Sequence, residues 1–224
     1  MTSAMLAIWS DVPQQQETDY LHWLMREHTP ERVGIPGFEA VRVFRADLPE
    51  VCRYLILYDL AAPSVLTSPA YLARLNAPTA WSQRIMPTLR NFVRGGGCVR
   101  VMRGTGGGAH LLPFRLARTA SEAGSLLETL VTEERVCAVR LLEVDQEGSG
   151  VPTNERALRG GDGSFPSLLL IEAAEAAALR GALSRHRSGI AALGAHVEDP
   201  ALYTAVFSLR KAELVTGAAE AQMP

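Results

Sequence analysis

The chain has 224 residues, of which 47% are hydrophobic and 21% charged, with a formal net charge of −2. That length fits one large domain or two units of about 100 residues, with apolar content enough for a sizeable core. The balanced charge excludes the basic stripe of a nucleic-acid binder. The apolar runs at 54–57 and 168–171 fall far short of a membrane helix, and residues 1–5 lack a signal peptide's basic start, so the expected location is the cytoplasm.

In chain order, residues 5–10 read as a first strand, apolar on both faces. Residues 17–27 carry helical periodicity, with Tyr20, Leu21, Leu24 and His28 on one stripe. Thr29-Pro30 is expected to end that helix, because a residue before proline is pushed out of the α region. Ile35-Pro36-Gly37 reads as a turn. Residues 38–45 alternate as a strand, and 52–60 form a buried partner strand. Ser68-Pro69 opens a helix, with serine at the cap and proline in the first turn. Residues 79–91 read as a short helical piece broken by Pro87, and 99–103 as the next strand.

The second half repeats this order. Strands are expected at 110–116, 136–144, 165–172 and 202–209, with helices at 121–133 (Ser121 at its cap) and 173–193. A long polar loop spans 146–164, and the tail after Val215 reads as frayed. The β-α-β-β-α-β order in each half is that of a ferredoxin-like unit. The expected organisation is unit 1 at 1–104, a glycine-rich linker at 105–108, unit 2 at 109–215 and a tail at 216–224. Gly95-Gly96-Gly97 also reads as linker-like, since neither glycine cluster fits a nucleotide-binding loop.

A faint internal repeat supports the duplication. Phe38-Glu39-Ala40-Val41-Arg42-Val43-Phe44 overlays Val136-Cys137-Ala138-Val139-Arg140-Leu141-Leu142, and Tyr54–Tyr58 overlays Ser167–Ile171. An antiparallel sheet that faces water on one side shows polar residues there, and these strands do not. The two sheets are therefore expected to pack together as one α+β barrel, with a ligand pocket between them.

His28 is the first candidate for chemistry, as an acid/base group whose cationic form a helix C-terminus would favour. The bland alternative is a capping histidine. Glu27, Glu31 and Arg32 surround it, either as a surface ion-pair cluster or, for Arg32, as a carboxylate or phenolate binder. Arg42 and Arg140 lie mid-strand at matching places. Each needs a partner, either an anionic ligand or an acid such as Asp59 or a glutamate. Trp9, Trp23, Tyr58, Tyr71 and Trp81 are candidate substrate-binding aromatics, with ordinary core packing as the alternative; Tyr20 and Tyr54 join the same first-half set. No spacing of histidines or cysteines suggests a metal site, and no G-x-S-x-G marks a serine nucleophile. Cys52, Cys98 and Cys137 read as free, buried thiols.

The run Glu27-His28-Thr29-Pro30-Glu31-Arg32-Val33, followed by Pro36-Gly37-Phe38, Tyr54-Leu55, Val65-Leu66-Thr67-Ser68-Pro69-Ala70-Tyr71, Asn76-Ala77-Pro78-Thr79 and Trp81, resembles the dimeric α/β-barrel superfamily, especially EthD-like and related uncharacterised bacterial proteins. The resemblance covers residues 4–103. The second half matches only in element order. It implies a ferredoxin-like fold and relatives that include cofactor-free monooxygenases, lactone isomerases, dehydrochlorinases, polyketide cyclases and haem-dependent enzymes. It also implies a barrel that many relatives build from two chains, so a tandem chain closes it alone and could still form a homodimer. The expectation is a cofactor-independent enzyme on a small aromatic or polyketide-like compound, with His28, Arg32 and Arg42 as its catalytic set. Its alternatives are a non-catalytic ligand-binding or stress-associated protein and, third, a haem enzyme with His186 or His196 as axial ligand.

Overall fold

The computed structural model describes residues 4–119, 123–198 and 200–214. Four strands come from the first half: β1 (Ala4–Val12), β2 (Phe38–Ala46), β3 (Cys52–Leu60) and β4 (Arg90–Gly104). Four come from the second: β5 (His110–Leu116), β6 (Val136–Val144), β7 (Ser167–Ala173) and β8 (Tyr203–Arg210). They close into a single barrel in the order β1-β3-β2-β8-β5-β7-β6-β4, so the α+β barrel expected from strand order and two-faced apolarity is present.

The repeat is written into the register. Ala40 pairs with Asp59 and Arg42 with Leu57; Ala138 pairs with Glu172 and Arg140 with Leu170. Both halves therefore place an arginine and an acid on one face of their hairpin, at corresponding positions. β4 joins the halves by pairing with β1 through Cys98 and with β6 from Gly97 onward. Gly95-Gly96-Gly97 is thus not a linker but the middle of β4. A Cβ on Gly97 would lie 2.1 Å from the Glu143 carbonyl oxygen, and one on Gly96 would strike Leu66. Only glycine allows the neighbouring backbone so close.

Alternation along the strands divides the apolar residues into three cores. Met5, Ala7, Trp9, Phe44, Leu55, Leu57, Leu142, Phe165, Leu168 and Leu170 form one, and they occupy the inner face of the barrel. Ile8, Ile56, Tyr58 and Val43 pack outward under the first-half helices, and Val139, Leu141, Leu169 and Ile171 under the second-half helices. The middle of the interior expected to hold the pocket is filled by side chains, as small barrels are, and a hollow opens beside Arg42, Asp59 and Arg140.

The first helix does not stop at Thr29-Pro30. α1 (Glu17–Trp23) runs through a π-turn at Leu24–His28 into α2 (Thr29–Gly34). Proline lacks an N–H and its ring presses on the carbonyl of the preceding turn. The wider turn relieves both: the Thr29 backbone N–H donates to the Leu24 carbonyl, and the Thr29 hydroxyl donates to the same oxygen at 2.8 Å. α3 (Pro69–Asn76) starts as expected, with Ser68 Oγ accepting from the Tyr71 N–H at 3.3 Å. α4 (Ala80–Ile85) is capped by Thr79; Pro87 lies in a one-turn helix, and β4 then begins at Arg90, earlier than expected. In the second half, α5 (Gly124–Val131) packs near β6, while Ser121 and the tail from Val215 lie outside the described residues. The polar loop carries α6 (Gln146–Ser149) and α7 (Asn154–Leu158), and α8 (Ala176–Ala192) precedes β8. No helix among the described residues is long and apolar enough to cross a membrane.

Candidate functional site

The π-turn decides where His28 goes. In a regular helix, side chains five residues apart diverge; the wider turn brings them together. The imidazole of His28 lies against the indole of Trp23 with ring centroids 4.3 Å apart. His28 is therefore internal to a helix rather than at its C-terminus, and the favourable dipole expected there is lost. It is buried among cations instead. Burial first, then the guanidinium groups of Arg32, Arg159 and Arg74, hold its pKa well below the usual histidine value. The imidazole is neutral at neutral pH.

His28 lines a cavity of about 30 Å³ between the outer face of the first-half sheet and its helices. Trp23, Tyr20, Tyr58, Tyr71 and Phe92 supply aromatic walls, and Ile8, Ile56, Leu75, Met86 and Leu89 supply aliphatic ones. Tyr71 and Phe38 stack at 5.1 Å behind it. Its polar residues are Ser10, Arg32, Arg94, Glu155 and Arg159. Arg32 donates to the Glu155 carboxylate, and both side chains are 3% exposed. Arg94 Nη2 donates to the Tyr71 hydroxyl at 3.2 Å. Arg159 lies over the Phe92 ring at 4.0 Å and is tied by Nε and Nη2 to the two Asp162 oxygens, each at 3.0 Å. Burial raises the Tyr58 phenol above its ordinary pKa, with Arg32 opposing, so it stays protonated.

Five buried polar atoms on residues that line this cavity have no hydrogen-bond partner: Tyr20 Oη, His28 Nδ1, Tyr58 Oη, Arg32 Nη1 and Arg94 Nε. Buried polar atoms are normally paired, and leaving one unmade costs about 1–3 kcal/mol. Five of them on residues lining one cavity mark a place where the protein leaves its own polar groups unsatisfied.

Of the expected site residues, the fold brings His28, Arg32, Trp23, Tyr58 and Tyr71 together and places the others elsewhere. Arg42 is in the barrel interior, where it and Arg140 both donate to Glu172, with Gly108 N–H completing the set at 3.1 Å. This is the glutamate pairing that a strand arginine requires. Asp59 completes the charge cluster without a hydrogen bond of its own, next to an open hollow of about 710 Å³. Trp9 points into the barrel, donating from its indole N–H to the Tyr203 hydroxyl at 3.1 Å and meeting Phe165 edge-on. Trp81 sits on the outer surface, donating to Asp19 at 3.0 Å. Glu27 accepts from the Thr79 hydroxyl at 2.5 Å, and Glu31 pairs with Arg74 at 3.3 Å. His186 is held against Glu133, and His196 lies at the far mouth of the barrel.

Arg94, Glu155 and Arg159 were missed in the sequence. Arg94 stands beside the glycine cluster taken for a linker, and the other two lie in the 146–164 loop, 123 or more positions from Arg32. A short Thr-Asn-Glu-Arg cap signature at 153–156 was the one available clue: Thr153 Oγ1 accepts from the Arg156 N–H at 3.3 Å and starts α7.

No family model matches the chain, and no curated protein does. Solved structures do match over nearly the whole length. An anthrone oxidase-like protein aligns with a TM-score of 0.65 at 9% identity, covering 97% of each chain. A candidate monooxygenase from Fusobacterium nucleatum aligns at 0.55 and 12% identity over 94% of this chain and 95% of that one. A candidate chlorite dismutase aligns at 0.55 and 12% identity over 92% and 96%. At these identities the likeness is one of fold, and the chain is a ferredoxin-like α+β barrel protein of the same architecture as these three.

Proposed function

We propose that the chain is a cofactor-independent enzyme acting on a small aromatic or polyketide-like compound in the His28 cavity. The observation that carries this reading is that five polar atoms without a hydrogen-bond partner belong to residues lining one aromatic-walled cavity. The shared chemistry of isomerase, cyclase, dehydrochlorinase and monooxygenase types begins with loss of an acidic proton and formation of a stabilised carbanion or enolate. Neutral His28 with a free ring nitrogen can take that proton. Its cationic form is disfavoured by burial and the nearby arginines, but the ligand acquires a negative charge in the same step, beside Arg32 and Arg94, which offsets the cost. Whether the anion then isomerises, cyclises, expels chloride or reacts with oxygen is set by the ligand. The name of one structural neighbour, an anthrone oxidase-like protein, agrees with an aromatic ligand.

The test is to incubate purified protein with anthrones and hydroxynaphthoquinones, and to compare wild type with His28→Ala and His28→Gln. Turnover that collapses in both variants while ligand still binds supports the assignment; unchanged turnover and affinity refute it. One observation favours a second reading, a non-catalytic binding protein: burial, and after it the surrounding arginines, make His28 a weak base. That reading expects bound ligand and no product.

A further inference from the structure

The polar end of the cavity is rich in donors and poor in acceptors. Arg32 Nη1 and Arg94 Nε can only donate, and Tyr58 Oη and His28 Nδ1 can do either. Within that set stands one carboxylate, Glu155, and it comes from the other half of the chain. It is buried, ion-paired with Arg32, and 3.9 Å from the Arg159 guanidinium. Carboxylates are seldom this deeply buried, and this one sits where an anion is best stabilised.

The segment that carries Glu155 is built differently from the walls around it. It leaves β6 after Val144 and returns at β7, crossing onto the first half as it does so. Its two ends are anchored to the first half: Ser149 exchanges hydrogen bonds with the Gly96 backbone at 2.8 and 2.9 Å, and Arg159 lies over the Phe92 ring. Asn154 is clasped to Asn76 through its N–H (3.0 Å) and side-chain amide (2.7 Å), both exposed. Gly160 and Gly161 turn the chain with φ of +75° and +108°, in open space. At its far end Gly163 is stitched to β4 by two backbone bonds, Arg94 N–H to Gly163 O and Gly163 N–H to Phe92 O. The cavity beneath holds about 30 Å³. A cavity that takes a single benzene ring is on the order of 150 Å³. No aromatic ligand enters unless part of the wall leaves, and the part of the wall that is neither barrel strand nor first-half helix is the stretch bearing Glu155, held between the anchors at Ser149 and Gly163.

We infer that Glu155 is an internal stand-in for the ligand's oxyanion: the ligand is an aromatic phenolate, enolate or carboxylate that takes over Arg32, and the Glu155 segment swings outward to admit it. This deepens the reading of the His28 cavity as a site for an aromatic compound and rests on it. The exchange is electrostatically balanced, since one carboxylate leaves the arginines as one oxyanion arrives. A neutral aromatic of the same shape would have to displace a buried charge and offer none in return.

The test uses 4-nitrophenol above its pKa, where it is an anion, and 4-nitroanisole, its neutral methyl ether. Both are titrated into full-length wild type and Glu155→Gln, followed by ligand absorbance and tryptophan fluorescence. Removing the internal anion is expected to tighten phenolate and ether alike, each about tenfold, because both must displace it in wild type, with the phenolate the tighter ligand of either protein. A Glu155 that stays in place would repel only the anion, so tightening of the phenolate alone overturns the displacement. Hydrogen exchange on wild type gives an independent answer if the variant does not fold. Amides of Asn154–Leu158 are expected to exchange faster with phenolate bound, whereas a ligand that merely fills a preformed site slows them. Phenolate binding that is unchanged or weaker in Glu155→Gln, or slower exchange in that segment, overturns the displacement while leaving an aromatic site intact. Failure of the phenolate to bind either protein overturns the aromatic site itself, and the displacement with it.

Discussion

Arg32 and Glu155 stand 123 positions apart in the sequence and meet as a buried ion pair, each side chain 3% exposed. The pair joins the first helix of one half to an excursion from the other, across the mouth of the only aromatic-walled cavity that His28 lines among the described residues. Its energetics differ from those of a surface bridge, since both charges have left water.

Breaking the pair from one side leaves an uncompensated buried charge. Arg32→Met or Glu155→Leu alone is expected to cost about 3–5 kcal/mol, and the double variant far less than the sum, because two apolar side chains remove both desolvation costs together. Urea unfolding of the four proteins closes the cycle; additive losses would show that the two residues do not interact.

His28 sets a pH dependence of stability. Its folded pKa lies below the unfolded value of 6.5, so the unfolded chain binds the extra proton first. The stabilisation is present above about pH 6.5 and is lost as pH falls below it, with a slope of up to about 1.4 kcal/mol per pH unit until the folded value is reached. His28→Gln is expected to flatten stability over that window. NMR titration should find one of the five histidines still neutral where the unfolded chain's are charged.

The barrel-end charge cluster is asymmetric despite its repeat origin. Glu172 is fully buried with both arginines, whereas Asp59, at the corresponding register position, has none hydrogen-bonded to it. Glu172→Gln is expected to destabilise by about 3–5 kcal/mol, since Arg42 and Arg140 lose their partner. Burial, with Glu172 adding to it and the arginines opposing, raises the Asp59 pKa. A raised folded pKa means that stability is greatest when the acid is protonated and falls as pH rises through that value. Asp59→Asn should therefore raise the melting temperature at neutral pH and leave it little changed in acid, as calorimetry at the two pH values would show.

Two glycine substitutions should diverge. Gly97→Ala drives a Cβ into the Glu143 carbonyl and should cost at the upper end of the about 1–3 kcal/mol typical of overpacking, by pushing β4 from β6. Gly34→Ala meets nothing within 4 Å at the end of α2 and should be neutral or stabilising by about 0.5 kcal/mol. Thermal melts compare them directly, and equal effects would mean the 95–97 run is not the packed seam of the barrel.

Local chemistry made much of the fold legible. Period-two apolar patterning located the strands; 52–60, 110–116 and 136–144 match residue for residue, because side chains on a strand alternate regardless of what lies beyond it. Two-faced apolarity foretold a closed barrel, since neither face could stay wet. The Ala-Val-Arg repeat foretold matching arginines that need acids. Elsewhere a local rule lost to a tertiary one. Pro30 signals a helix end, yet packing of Leu24, His28 and Val33 against the sheet holds the helix through it as a π-turn. Glycines signal a linker, yet strand crowding at Glu143 requires glycine at Gly97.

The site divides along the same line. The sequence by itself placed His28, Arg32 and the first-half aromatics on neighbouring elements, because helix and strand periods fix which residues share a face. It also placed the charge of Arg42 where an acid had to answer it. Only the tertiary structure decided that the aromatic-walled cavity lies outside the barrel, because inward residues such as Trp9, Phe44 and Leu170 fill the middle of a small barrel and leave hollows only toward its ends. Only the tertiary structure brought Glu155 and Arg159 onto Arg32 and His28. Contacts across that sequence separation carry no local pattern, and they exist because barrel closure sets the β6–β7 excursion against the first helix.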